Sequence, residues 1–453
     1  MADWKKVLMQ ITSDAEGKFD ELRYRLHYAL GGPGKIKIVP YRGYGTPQRF
    51  YLKGRVLEDK NIPEGEENDR LWENILNMYK RMESDEVPHA RLAVRFQDQQ
   101  QEVQADEEGM FEAWITPSQP LTAGRLWEKV EIELLEPLSS EQHEPVRAVA
   151  EILVPPPEAR FVVISDIDDT VLRSDATRLL HMARNVFLGN AHTRLSFPGV
   201  AALYRALFAG ASGNEMNPLL YISSSPWNLY DLLSQFFNLQ GIPVGPVLFL
   251  RNWGISPEEL LPLHHRAHKL GVIRKMLAFY HHLPFVLIGD SGQEDPEIYA
   301  EVVRENPERI LAVYIRNVSR DLKRPAAVQA LAKEVLKAGS SLVLADDSLA
   351  IAKHACELGL ISPVALAAIG EDKRKDEAPP TVLDKLLGEQ EQPEGKTVTI
   401  ETRTDQGADQ KQEADQLKET LKETGKETTK APPTVIVENA DAQNGLRKDA
   451  KKE

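Results

Sequence analysis

Three aspartates and one threonine stand close enough in this sequence to hold a cation together. Asp166, Asp168 and Asp169 occupy three of four consecutive positions, and Thr170 follows them directly. Carboxylates this close repel one another, so they stay ionised at low cost only beside a cation. Magnesium (Mg²⁺) suits such an oxygen-rich cluster because it keeps several waters and takes few protein ligands. The alternative is a solvated turn, since aspartate is common in turns.

The residues before this cluster predict where it lies. Positions 161–165, FVVIS, form a short apolar run of the kind that a buried strand shows. Open α/β sheets bind ligands at the carboxyl ends of their strands. The run therefore predicts that the aspartates lie at a ligand-binding edge.

A serine run and a lysine could add donors for a phosphoryl group. Ser223, Ser224 and Ser225 end a strand-like run, where a hydroxyl and backbone N–H groups could bind a phosphoryl oxygen. Serine runs are also ordinary turn material, and one sequence leaves open which of the three would contact phosphate. Lys269 stands near the start of a predicted helix, ahead of the last acidic cluster. Its ammonium could neutralise charge around a transferring phosphoryl group.

A second pair of carboxylates follows another strand-like run, FVLIG. Asp290 ends this run and Asp295 comes five positions later, so both could converge on the cation of the first cluster. A strand-end aspartate can instead cap a helix, and Asp295 before Pro296 also fits that role. Asp290 is therefore the better candidate metal ligand.

Beyond residue 155, strand-like runs alternate with segments of helical spacing. Such alternation predicts βαβ units and a parallel sheet that carries helices on both faces. We therefore predict an α/β domain over residues 155–369, with the strand ends and functional loops on one edge. The runs that predict its strands are FVVIS, LLYIS, PVLFL, FVLIGD and ILAVYI.

The rest of the chain divides into three parts. Residues 1–30 have helical spacing and predict an N-terminal helix. Residues 31–154 contain several alternating runs and predict a β-rich, sandwich-like antiparallel domain. Residues 370–453 are rich in Lys, Glu, Asp, Gln, Thr and Pro with few aromatics, which predicts a disordered tail.

Composition and charge exclude some classes of function. The formal net charge of -14 argues against nucleic acid as a partner. A single cysteine, Cys356, permits no intramolecular disulfide and is typical of a reducing compartment. We find no signal peptide and no apolar run long enough for a membrane span. We therefore expect a cytoplasmic protein that at most contacts a membrane surface transiently.

The four polar segments, taken in order, resemble the haloacid dehalogenase (HAD-like) superfamily. The pattern of that superfamily is D-x-D-x-T, a strand-end Ser or Thr, a Lys, and a closing acidic motif. Within it, four longer strings resemble the phosphatidate phosphatase catalytic domain of the actin-patch-protein type: ISDIDDTVL, YISSSPWNLYDLL, HKLGVI and LIGDSGQEDPEIY. The resemblance covers residues 155–368 and implies a HAD-like Rossmannoid fold.

The resemblance implies a phosphoric monoester hydrolase that acts through an aspartyl-phosphate. It makes Asp166 the nucleophile, and Asp168 the general acid and then the base that activates water. It assigns Thr170 and Ser223 to orienting the aspartates and the phosphoryl group. Lys269 would offset charge on the nucleophile and the phosphate.

The resemblance also implies a Mg²⁺ site. Its ligands would be Asp166, Asp290 and the backbone carbonyl of Asp168, together with waters. Asp295 would be a supporting ligand or would hold the ligands in place.

Short segments after the first and second motifs leave room for a minimal cap only. An open site of this kind suits a bulky phosphomonoester, and the resemblance makes the phospholipid phosphatidate the leading substrate. The alternatives are a phosphatase for protein or other bulky phosphomonoesters, and an inactive scaffold, which the intact acidic motifs disfavour. Four apolar residues either form a lipid-facing rim or, as we favour, pack in the core: Phe187, Leu188, Trp227 and Trp253.

Overall fold

The computed structural model describes residues 34–59, 86–121, 124–139, 142–167, 198–223, 227, 230–249, 262–319 and 321–377. The described strands form two β-sheets, one before and one after Pro155 in the chain. None of the helices in these ranges combines the length and the hydropathy that crossing a bilayer requires.

The first sheet has eight strands, in the order β1-β3-β2-β8-β7-β4-β5, with β6 paired to β3. Neighbouring strands are antiparallel, except that β2 and β8 are parallel. All eight belong to one hydrogen-bonded sheet, and a sandwich-like layering stays a prediction. The strands are β1 (Ile36–Pro40), β2 (Gly43–Thr46), β3 (Arg49–Glu58), β4 (Arg91–Phe96), β5 (Gln99–Gln104), β6 (Met110–Ile115), β7 (Trp127–Glu136) and β8 (Arg147–Leu153).

Alternation of buried and exposed residues explains why most of these strands can be predicted from the sequence. In β7, Val130, Ile132 and Leu134 are buried, and the glutamates between them are exposed or half-buried. Strand β5 has the sequence QQQEVQ, which lacks this pattern, and it forms by pairing with β4. A polar edge strand of this kind depends on its partner and not on its own burial.

The second sheet has six parallel strands, in the order β11-β10-β9-β12-β13-β14. Alternate residues of β9 enter two different apolar cores, with Val163 on one face and Val162 and Ile164 on the other. Burial on both faces is the reason that the runs are almost continuously apolar. The predicted parallel sheet is confirmed. Its strands are β9 (Val162–Asp166), β10 (Leu219–Ser223), β11 (Val247–Phe249), β12 (Phe285–Asp290), β13 (Ile310–Arg316) and β14 (Leu342–Ala345).

Helices cover both faces of this second sheet. Residues of α1, α2, α6 and α7 enter the core on one face, and residues of α3, α4 and α5 enter the core on the other. The helices are α1 (Val200–Ala209), α2 (Tyr230–Gln240), α3 (Pro262–Phe279), α4 (Asp295–Glu305), α5 (Arg324–Lys337), α6 (Ser348–Glu357) and α7 (Pro363–Glu377).

Helix α7 extends past residue 370, where the composition predicts the start of the tail. Ile369 is completely buried, and Lys373 Nζ contacts a carboxylate oxygen of Asp347 at 2.6 Å. Arg205 pairs with Asp372 at 3.0 Å. These contacts stabilise a charged segment that has few apolar residues of its own. The predicted N-terminal helix and the rest of the predicted tail lie outside the described residues.

The β-rich sheet packs directly against the α/β domain. The Tyr41 ring stacks on Trp227 with ring centroids 4.6 Å apart, and it meets Tyr230 edge-on at 4.7 Å. Tyr44 lies in the core of the α/β domain, where its ring meets Phe279 at 5.1 Å. Trp227 is only 8% exposed, so it packs in this interface and is not part of a lipid-facing rim.

Candidate active site

Three neighbouring strands bring the predicted site residues to one edge of the parallel sheet. Strand β9 ends at Asp166, which lies opposite Ile222 of β10, so Ser223 occupies the next position along that edge. Strand β12, on the other side of β9, ends at Asp290. Asp166, Ser223 and Asp290 are all buried. This edge is where open α/β sheets bind ligands.

Lys269 reaches this edge from helix α3. Its Nζ lies 3.0 Å from Asp166 Oδ1 and also contacts Asp295 Oδ1, and its side chain is fully buried. Burial alone lowers the pKa of a lysine, but the two carboxylates outweigh burial and hold the Lys269 pKa above its usual value. The ammonium therefore stays charged. Lys269 lies about two turns inside α3, and not near the helix start as the sequence predicts.

The loop after β12 positions the two remaining carboxylates. Asp290 Oδ1 accepts backbone N–H groups from Gly292 at 2.7 Å and from Gln293 at 3.2 Å. Asp295 Oδ2 accepts the backbone N–H of Asp290 at 3.1 Å. Asp295 is the first residue of α4, whose N-cap is Glu294, so its carboxylate serves this site and does not cap the helix.

Gly289 makes room for Asp295. A Cβ atom at position 289 would lie 2.2 Å from Asp295 Oδ2, far inside van der Waals contact. Any larger residue would displace the carboxylate, so this position requires glycine for close approach.

Three of the carboxylates form a group that could hold a metal ion. Asp166, Asp290 and Asp295 are buried, and one ligand oxygen from each lies within 4.8 Å of the others. Lys269 offsets one negative charge among them, and a divalent cation would offset two more. An all-oxygen donor set favours Mg²⁺ over zinc, which prefers nitrogen and sulfur. The residues present therefore fit the predicted metal.

Two tyrosines lie beside the site, and no motif in the sequence indicates that they do. Tyr299 of α4 donates to the carbonyl oxygen of Ile288 at 3.1 Å, and its ring centroid lies 5.8 Å from Lys269 Nζ. Burial, followed by the nearby aspartates, raises the Tyr299 pKa well above its usual value, so this phenol stays neutral. Tyr204 Oη lies 2.6 Å from the hydroxyl of Ser165. Helical spacing indicates that these residues are buried, but it does not indicate what they contact.

The structure thus brings four predicted residues into one contact network: Asp166, Lys269, Asp290 and Asp295. Ser223 lies at the end of the adjacent strand. Four other candidates lie outside the described residues: Asp168, Thr170, Ser224 and Ser225.

Comparison with known proteins finds a family model that matches the same part of the chain. Residues 161–317 match the family model described as "Phosphatidate phosphatase APP1, catalytic domain". This match runs from the start of β9 to just past the end of β13. The resemblance to a phosphatidate phosphatase catalytic domain is therefore confirmed for these residues.

Two curated proteins are similar to the chain over a limited stretch. An uncharacterized protein of Schizosaccharomyces pombe is 34% identical over 165 residues, which are 35% of this chain and 25% of the relative. Phosphatidate phosphatase APP1 of Saccharomyces cerevisiae is 31% identical over 161 residues, which are 35% of this chain and 26% of the relative. The alignments thus span about a quarter of each relative's length.

Among solved structures, a carbohydrate acetylesterase from Xanthomonas citri aligns over 74% of this chain and 75% of its own. The TM-score is 0.26 and the sequence identity 11%, a likeness too low to carry an argument about fold or function.

Proposed function

We propose that the domain with this family match is a Mg²⁺-dependent phosphatase that hydrolyses phosphatidate to diacylglycerol and phosphate. The observation that carries the proposal is the buried contact of Lys269 with Asp166 and Asp295, beside Asp290. A fixed cation between strand-end carboxylates suits transfer of an anionic phosphoryl group, because it reduces repulsion between the nucleophile and the phosphate. The family match supplies the substrate class.

In the first proposed step, a carboxylate oxygen of Asp166 attacks phosphorus. A bond forms between this oxygen and phosphorus, and the bond from phosphorus to the alcohol oxygen breaks. Asp168 gives its proton to that departing oxygen, so the alcohol leaves neutral. Lys269 keeps its proton and offsets charge on Asp166 and on the phosphoryl oxygens.

In the second proposed step, water attacks the phosphorus of the aspartyl-phosphate. Asp168, now a carboxylate, takes the proton of this water, and the bond between phosphorus and Asp166 breaks. Inorganic phosphate leaves, and both aspartates return to their starting protonation states. Mg²⁺, bound by Asp166, Asp290 and the Asp168 carbonyl with Asp295 in support, would supply further positive charge to the phosphoryl oxygens.

Removal of divalent metal is expected to lower phosphate release from phosphatidate in mixed micelles by at least about a hundredfold. The purified protein is assayed with Mg²⁺, with a chelator, and with Mg²⁺ restored after chelation. A soluble aryl phosphate is assayed in parallel. Hydrolysis of both substrates that survives chelation would contradict the metal requirement.

The same assay separates the alternatives for the substrate. Cleavage of the aryl phosphate without cleavage of phosphatidate would keep the chemistry and favour a protein or another bulky phosphomonoester. Inactivity on both substrates, with the fold intact, would favour the scaffold.

A phosphatidate phosphatase must also meet a lipid surface, and one loop at the active-site edge suits that contact. Leu322 is 96% exposed, and Lys323 beside it is also exposed. The loop follows β13 and is held near Asp290, because the Ser291 hydroxyl oxygen accepts the backbone N–H groups of Val318 and Ser319 at 3.0 Å each. An exposed leucine beside a cation suits an anionic membrane surface. Transient membrane contact and a cytoplasmic location are part of the proposal.

The substitution Leu322→Ser is expected to lower phosphate release from phosphatidate vesicles by about tenfold, which is the effect of losing one buried leucine side chain. Release from a soluble aryl phosphate should change by less than about twofold. The matched control is Val364→Ser, because Val364 is 81% exposed on α7. Equal losses for the two variants on vesicles would argue against a role for Leu322 in lipid contact.

A further inference from the structure

One arginine from outside the region of the family match holds the loop that carries Asp290 and Asp295. Arg324 is the first residue of α5, and the family match ends at residue 317. Its Nε donates to the carbonyl oxygen of Ser291 at 2.9 Å, and its Nη2 donates to that of Gln293 at 2.6 Å. The guanidinium therefore joins two backbone carbonyls on the segment between the two carboxylates.

The same guanidinium also makes a two-pronged pair with Glu297. Nη2 donates to Glu297 Oε2 at 2.8 Å, and Nη1 donates to Oε1. Glu297 lies in the first turn of α4, just after Asp295. Arg324 thus contacts the loop backbone at two positions and also contacts the helix that follows the loop. A planar guanidinium can make this set of bonds at once, whereas an ammonium is a single point charge.

These contacts fix the orientation of the backbone peptide groups around the Asp290 carboxylate. The N–H groups of Gly292 and Gln293 both donate to Asp290 Oδ1, and Arg324 holds the carbonyl oxygens of Ser291 and Gln293. The peptide group between Ser291 and Gly292 is therefore bonded at both of its ends. Its N–H is directed at Asp290 while its carbonyl is directed at Arg324.

We propose that Arg324 is a positioning residue that fixes the Asp290–Asp295 loop and thereby sets its affinity for Mg²⁺. The inference rests on the proposed function for the identity of the metal. It adds to that function a residue of α5 that contacts no ligand atom of the metal group directly. Outer contacts of this kind typically change metal affinity by about tenfold to a hundredfold.

Helix α4 provides a matched control pair at its other end. Arg274 of α3 contacts both carboxylate oxygens of Glu305, the last residue of α4, and its side chain is 48% exposed. This pair has the same chemistry as the pair of Arg324 with Glu297 and joins the same helix to a neighbour. Among the described residues, Arg274 donates hydrogen bonds to glutamate side chains of α4 and not to the backbone of the loop between Asp290 and Asp295.

The test compares Arg324→Lys with Arg274→Lys in the full chain. Mg²⁺ binding is measured by titration calorimetry, and exchange of the Gly292 and Gln293 amide hydrogens is measured without metal. For Arg324→Lys we expect about a tenfold weaker Mg²⁺ affinity and amide exchange faster by about tenfold. The Mg²⁺ concentration for half-maximal phosphatase activity should rise in parallel, with kcat at saturating Mg²⁺ within about threefold. For Arg274→Lys we expect neither change.

A second variant keeps the test decisive should Arg324→Lys fail to fold. Glu297→Gln leaves both carbonyl contacts of Arg324 possible and removes the charge pair, so about a threefold loss of Mg²⁺ affinity is expected. Unchanged Mg²⁺ affinity and unchanged amide exchange in a folded Arg324 or Glu297 variant would overturn the proposal. If the wild-type protein is inactive but the Arg324 and Glu297 variants still bind Mg²⁺ more weakly than it does, the phosphatase function is rejected and the positioning role of Arg324 stands.

Discussion

Replacing Asp166 by asparagine is expected to lower kcat for phosphomonoester hydrolysis by at least about a thousandfold. Asparagine has nearly the same shape, so the end of β9 should keep its packing. The amide cannot attack phosphorus as a carboxylate does, and it removes one of the negative charges beside Lys269. The rate is measured with a soluble aryl phosphate at saturating Mg²⁺, which separates chemistry from access to lipid.

The control for this substitution is Asp372→Asn, which changes a half-buried aspartate of α7 that pairs with Arg205 of α1. It should change kcat by less than about twofold. A labelled phosphoryl group should also be trapped on the wild-type protein by acid quenching and be absent from Asp166→Asn. More than about a tenth of wild-type kcat in the Asp166 variant would show that another group is the nucleophile.

Replacing Lys269 by methionine is expected to lower the free energy of unfolding by about 3–5 kcal/mol at neutral pH without metal. Methionine has a similar length, but it leaves Asp166 and Asp295 buried together without the ammonium that contacts both. Saturating Mg²⁺ should recover part of the loss, because the cation replaces some of the missing positive charge. Urea unfolding with and without Mg²⁺ measures both effects.

The loss of stability in Lys269→Met is expected to depend on pH, and its direction follows from the shift in the Lys269 pKa. Burial lowers the Lys269 pKa and the two carboxylates raise it more, so in the folded protein it lies above the usual value of 10.5. The folded state therefore keeps a proton that the unfolded chain loses. The stabilisation by Lys269 is fully present below the unfolded pKa and is lost as the pH rises through the folded pKa. The stability difference between wild type and Lys269→Met should therefore narrow above about pH 10.5.

The control for Lys269→Met is Lys373→Met. This change breaks the half-buried pair between Lys373 of α7 and Asp347, which caps the start of α6. Its expected loss of unfolding free energy is at most about 1 kcal/mol. A Lys269 variant as stable as this control would contradict the view that the buried ammonium holds the carboxylates together.

Much of the α/β domain could be predicted because its strands are buried on both faces. The runs FVVIS and FVLIG consist of apolar or small residues for this reason, and each is followed directly by an aspartate. Parallel strands place their carboxyl ends at one edge, so the sequence predicts that Asp166 and Asp290 approach each other. The order of the polar segments then indicates a resemblance to the haloacid dehalogenase superfamily.

Other features depend on partners that are distant in the sequence. Strand β5 is almost entirely polar and forms because β4 offers it a ladder of hydrogen bonds. The β-rich sheet docks on the α/β domain through aromatic contacts such as Tyr41 on Trp227, which are 186 positions apart. The final turns of α7 are held by Arg205 and Asp347. Local periodicity does not encode such contacts.

The sequence by itself determined which residues end the strands and that their chemistry suits a cation and a phosphoryl group. Only the tertiary structure decided that Lys269 bridges Asp166 and Asp295, and that Arg324 reaches the loop between Asp290 and Asp295. Periodicity and burial are properties of each element, so they can be inferred from neighbouring residues. The meeting of side chains from α3, α5 and the strand ends depends on how whole elements pack together, and no local pattern specifies that packing.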